Sequence, residues 1–96
     1  MDLLIVVSTP AGGTIARELV AACARAQRSC AVFFTNDGVK VLGDEKFATA
    51  MATCQEAVAC HESWRRLMGD TPCPVTAGSQ TNHSSLAARA GRIVSL

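Results

Sequence analysis

The chain has 96 residues, of which 49% are hydrophobic and 18% charged, with a net charge of +1 and no tyrosine. That length holds one compact domain, residues 1–96, and leaves no room for a second. The near-neutral balance lacks the basic stripe of a nucleic-acid binder, so no direct nucleic-acid partner is expected.

Residues 3–7 are a run of branched apolar side chains without alternation, the pattern of a strand buried on both faces. The segment 9–14, with Pro10, Gly12 and Gly13, reads as a turn. A helix follows in which Ile15, Leu19, Ala22, Cys23 and Ala26 recur on one apolar face. Residues 30–35 form a second apolar strand, closed by the turn Asn36-Asp37-Gly38. Residues 39–43 specify no clear element. Asp44 caps a helix carrying Phe47, Met51 and Cys54 on one side. A third strand ends at Cys60, and Ser63 is read as the N-cap of a short helix over 64–68, with Gly69 as its stop. Pro72 and Pro74 break the chain. A weak strand over 75–78, a polar loop over 79–84, a helix over 85–90 and a closing strand over 92–96 complete it.

Strand and helix alternate throughout. This predicts a single three-layer α/β/α domain with a mostly parallel sheet of about five strands, right-handed crossovers and helices on both faces. The apolar composition predicts that part of the surface is covered by other subunits. Asp2 stands where a signal peptide has bases, and the first apolar run is far shorter than a membrane span. A cytoplasmic protein with no membrane segment is expected, and its five cysteines are expected to be buried or reactive, not paired.

In a parallel sheet the loops after the strands gather at one edge, where open α/β folds place their sites. Of the five cysteines, only Cys60 ends a strand there. Cys30, Cys54 and Cys73 belong to the opposite edge, and Cys23 fills the core. A helix start beside Cys60, with Arg65 and Arg66 expected in the first turn, favours the thiolate. Its inert alternative is a small residue closing a buried strand. His61 and His83 are candidates to assist as base or orienter, although a solvated surface histidine is the bland state of each. Gly12, Gly13, Asn36, Asp37 and Gly38 are candidate ligand loops, but neither a dinucleotide nor a Walker pattern is present and a plain turn serves equally well. A zinc site drawn from Cys54, Cys60, His61, Cys73 and His83 would lack a CxxC pair and straddle both edges, so neither metal nor cofactor is expected.

Three stretches, Asp2 to Ser8 with its turn and helix, residues 32–39 (VFFTNDGV) and residues 57–60 (AVAC), together with the closing strand, resemble the DsrE/DsrF/DsrH-like family, which includes the TusBCD-type sulfur relay subunits. The resemblance implies a sulfur carrier or sulfurtransferase subunit. The cysteine at the end of the third strand, Cys60, would hold sulfane sulfur as a persulfide and pass it between a donor protein and an acceptor protein. It also implies a homo- or hetero-oligomer, a trimer or hexamer, serving sulfur oxidation or tRNA thiolation. Segment 61–83 matches no general motif of that family. The competing readings are a non-catalytic small-ligand-binding module and an oligomeric assembly subunit.

Overall fold

A computed structural model describes residues 1–96. The elements are β1 (Leu3–Val7), α1 (Gly12–Arg25), β2 (Cys30–Phe34), a 3-10 segment (Asn36–Gly43), α2 (Glu45–Met51), β3 (Glu56–Cys60), α3 (His61–Met68), β4 (Thr76–Gly78), α4 (Gln80–Arg89) and β5 (Arg92–Ser95). The five strands form one sheet in the order β4-β3-β2-β1-β5, and every pairing is parallel. No helix is long and apolar enough to cross a membrane.

Strand order decides where the helices lie. From β1 through β4 the chain steps across the sheet in one direction, so right-handed crossovers place α1, α2 and α3 on the same face. From β4 it must return past all the other strands to β5, and α4 makes that return on the opposite face. Two clusters record the split. The larger packs Ala16, Val20, Phe47, Met51 and Trp64 against Ile5, Val7, Val32, Phe34 and Ala59. The smaller sets Leu86 of α4 on Leu4, Val6, Ala31, Phe33, Val58 and Cys60. The three-layer α/β/α domain is therefore lopsided, with three helices on one side and one on the other.

Period-two alternation sends neighbours in β2 to opposite clusters. Phe34 meets Phe47 edge-on with ring centroids 5.9 Å apart, whereas Phe33 stacks on His83 at 4.9 Å. Asp44 caps α2 as its sequence position indicates, its Oδ1 accepting from the Lys46 N–H at 2.9 Å. Gly69 ends α3 at φ +63°, a conformation that favours glycine.

Several expectations are corrected. In α1 the buried stripe is Ala16, Val20 and Cys23, and Ile15 and Ala26 face outward, because the helix axis sits about one residue around from the apolar count. Residues 36–43 coil into a 3-10 segment, so Asn36-Asp37-Gly38 opens a helical turn. Residues 79–84 are not a loop: Ser79 is an N-cap whose Oγ accepts from the Thr81 N–H at 3.2 Å, while Asn82 Oδ1 accepts from the Ser79 N–H at 2.9 Å. This is a capping box with Asn where Glu or Gln is usual.

Leu86 is the only buried residue of α4 and so the main apolar anchor of that layer. Leu86→Ala is expected to cost about 2–5 kcal/mol in urea unfolding. In hydrogen exchange the α4 amides should lose protection ahead of those of β1 and β2.

Candidate functional site

The carboxyl ends of β2, β3 and β4 surround a cavity of about 340 Å³ lined by Thr35, Asn36, Cys60, His61, Glu62, Ser63, Arg66, Gly78, Ser79 and Gln80. Cys60 is its one hydrophobic wall. The parallel register places it there: Phe34 pairs with Ala59, and Cys60 with Gly78. Gly78 is bare for a reason. A Cβ on it would lie 2.6 Å from Val58 Cγ1 and 2.7 Å from Asn82 Oδ1, so only glycine lets the first turn of α4 come down beside β3. Two helix starts, those of α3 and α4, therefore open onto one space.

Cys60 is 8% exposed and is itself the N-cap of α3, which begins at His61. Ser63, expected as the cap, lies three positions further on, inside the first turn and only 4% exposed. Its Oγ accepts the Asn36 backbone N–H at 3.0 Å. That bond leaves the Ser63 hydroxyl hydrogen free to point at the Cys60 sulfur. Asn36 sits at φ +50°, a left-handed turn that asparagine tolerates.

Burial by itself pushes the Cys60 thiol up. It is outweighed by the Ser63 hydroxyl, the Ser63 and Glu62 backbone N–H groups and the Thr35 hydroxyl, which together hold the thiol below its ordinary value. No capping hydrogen bond is formed by the neutral thiol; these donors act on the thiolate that replaces it. The other shifted thiols move the opposite way. Burial raises Cys30 and Cys73, and it pushes Cys54 up to about 12, with Cys30 beside it adding to the rise.

The remaining expected site residues divide. Arg65 and Arg66 fall in the last turn of α3, not the first, because the helix starts three residues earlier than expected. Neither is among the groups that depress Cys60. Arg66 nevertheless forms a wall of the cavity, whereas Arg65 borders a separate depression with Trp64 and Asp70. His61 borders both. His83 is not in a loop and not in the cavity wall: it lies on α4, its ring over Phe33 and its Nδ1 3.2 Å from Gln80 Oε1.

The glycine turns are closely packed, although Gly13 also borders a separate cavity of about 530 Å³ with Arg17, Glu18 and Lys40. The Gly12 N–H donates to the Thr9 carbonyl at 3.2 Å and the Gly13 N–H to the Pro10 carbonyl at 3.1 Å. A Cβ at Gly12 would lie 2.7 Å from Leu96 Cβ, and one at Gly13 2.8 Å from Val41 Cγ1. At Gly38 a Cβ would overlap the Val7 carbonyl oxygen. Asp37 pairs with Lys40 at 3.8 Å. Of the five candidate loop residues, only Asn36 reaches the cavity. All five cysteines are free, and no group of three or more His, Cys, Asp or Glu side chains is placed to hold a metal ion.

The sequence marks neither Thr35 nor Gly78 as a site residue, and it brings to the carboxyl edge, only as parts of a polar loop, Ser79 and Gln80. The S-x-x-N capping signal at Ser79 was present and marks the helix start that brings the last two to the site. Comparison of the chain with protein-family models and with curated proteins gives no match.

A depressed pKa means that thiolate is already present where ordinary thiols remain protonated. Iodoacetamide alkylation of Cys60 is therefore expected to reach half its maximal rate at a lower pH than an ordinary thiol does, because the thiolate is the nucleophile. Cys54, at about 12, should react far more slowly than Cys60 over the same range. Ser63→Ala removes one donor and moves the Cys60 midpoint upward. A Cys60 midpoint at or above the ordinary value would refute this reading of the site.

Proposed function

We propose that the chain is a sulfur carrier that holds sulfane sulfur as a persulfide on Cys60 and passes it to the cysteine of a partner protein. The observation that carries this reading is the set of donors aimed at the Cys60 sulfur in a polar cavity. The Glu62 and Ser63 amides and the Thr35 and Ser63 hydroxyls all favour its anion.

Loading is an exchange with no net oxidation. The Cys60 thiolate attacks the outer sulfur of a donor persulfide, the donor's sulfur–sulfur bond breaks, and the donor leaves as a thiolate. Transfer is the reverse at a second partner: an acceptor thiolate attacks the outer sulfur, and Cys60 departs as thiolate. A lowered pKa helps both steps, because it raises the thiolate fraction for attack and makes Cys60 a better leaving group. Arg66, on the cavity wall, supplies positive charge for the anionic persulfide.

The partners in this reading are a sulfur-donor protein and a sulfur-acceptor protein of the cytoplasm, with the chain working inside a homo- or hetero-oligomer. Ile15 and Ile93 stand about half exposed, at 52% and 51%, and offer apolar surface for such assembly.

The test is to incubate the reduced protein with polysulfide or a persulfidated sulfurtransferase and locate added mass by peptide mass spectrometry. The expected gain is one sulfur atom, roughly 32 Da, on the Cys60 peptide alone. Cys60→Ser should abolish it, and Ser63→Ala should slow loading about 3- to 10-fold, the worth of about one hydrogen bond. Equal labelling of the other cysteines, or unchanged transfer by Cys60→Ser, would overturn the proposal.

A further inference from the structure

At the other end of β2 and β3 lies a pair of thiols. Cys30 begins β2, and Cys54 lies in the bend that leads from α2 into β3. Their sulfur atoms are 3.8 Å apart, and the Gln55 N–H donates to the Cys30 carbonyl at 2.9 Å, holding the two backbones side by side. Formation of a bond of about 2.05 Å needs an approach of less than about 2 Å. Rotation about Cα–Cβ can supply that while the strand register stays in place.

The two sulfurs differ in access. Cys30 is 5% exposed and covered by the core. Cys54 is half-buried and borders a cavity of about 490 Å³ with Met51, Gln55, Ala57 and Val75. An outer thiol that a small molecule reaches, with an inner thiol against it, is the arrangement in which a mixed disulfide is resolved from within. Neither sulfur belongs to the Cys60 cavity. Along β2 the two ends are separated by about 13 Å.

The geometry points to Cys30 and Cys54 as a reversible dithiol–disulfide site, oxidised by low-molecular-weight disulfides and independent of Cys60. In the first step Cys54, as thiolate, attacks one sulfur of a small disulfide. A bond forms between Cys54 and that sulfur, and the second half of the reagent leaves as a thiol. In the second step Cys30, giving up its proton, attacks the Cys54 sulfur and expels the remaining half as a second thiol. Two protein thiols are oxidised, one disulfide reagent is reduced to two thiols, and no other oxidant enters. Both thiols are held protonated by burial, so the rate rises with pH.

Oxidised glutathione is the probe, applied to the full chain at about pH 8.5, followed by alkylation and peptide mass spectrometry without reductant. The wild-type protein is expected to yield a peptide cross-linked between Cys30 and Cys54, lost on dithiothreitol treatment and formed equally in Cys60→Ser. In Cys30→Ala the cross-link is absent and glutathione remains on Cys54. The proposal is overturned if wild-type Cys54 keeps its glutathione to the same extent as Cys30→Ala. It is equally overturned if Cys54 stays unmodified, or if Cys30 links to Cys23 instead.

Discussion

The hydroxyl of Ser63 is the joint on which the carboxyl edge depends. It accepts the Asn36 N–H at 3.0 Å, so the start of the 3-10 segment is tied to the first turn of α3. With that acceptor role filled, its hydrogen is left for Cys60. One buried polar atom thus satisfies a backbone donor and stabilises charge on the neighbouring sulfur. An alanine there would disturb the turn and the thiol together. A threonine would keep the hydroxyl but add a methyl where Ser63 is only 4% exposed.

The hydroxyl can serve in this way only because the sheet is parallel and ordered β4-β3-β2-β1-β5. β2 and β3 are neighbours, so the residues that follow them, Asn36 and His61, leave the sheet side by side. β4 is the outer neighbour of β3, and its return helix α4 must begin next to Cys60 before crossing the opposite face. The site is thus a consequence of direction. Had β4 been placed beyond β5, Ser79 and Gln80 would lie at the far end of the edge, and the cavity would lose one wall.

Much of this could be read from residue order alone. The buried runs in β1 and β2, the cap at Asp44 and the stop at Gly69 are local signals, and each coincides with an observed element. So is the position of Cys60, because a thiol ending a strand of a parallel sheet has one place to go. What failed were the features set by contacts distant in sequence. Ser63 has the composition of an N-cap, but the bond to Asn36 and the burial of Trp64 pull the helix start back to His61. The outward Ile15 and the inward Ala16 reflect how α1 meets α2 and the 3-10 segment. His83 was displaced from its expected loop by Asn82, whose short side chain closes a capping box normally closed by a longer one.

Burial does not dictate what a cysteine does. Cys60 and Cys54 are both substantially removed from water, yet they shift in opposite directions. Desolvation penalises the anion in each case. At Cys60 the cost is met by two amides and two hydroxyls, because the strand ends where a helix begins. At Cys54 the nearest polar neighbour is another thiol, a weak donor that adds its own repulsion once ionised. The same side chain is therefore an anion in waiting at one end of β3 and a protonated, slowly oxidised thiol at the other. What separates them is the supply of donors, the Ser63 and Thr35 hydroxyls and the backbone N–H groups that a strand's carboxyl end gains from the helix that follows it.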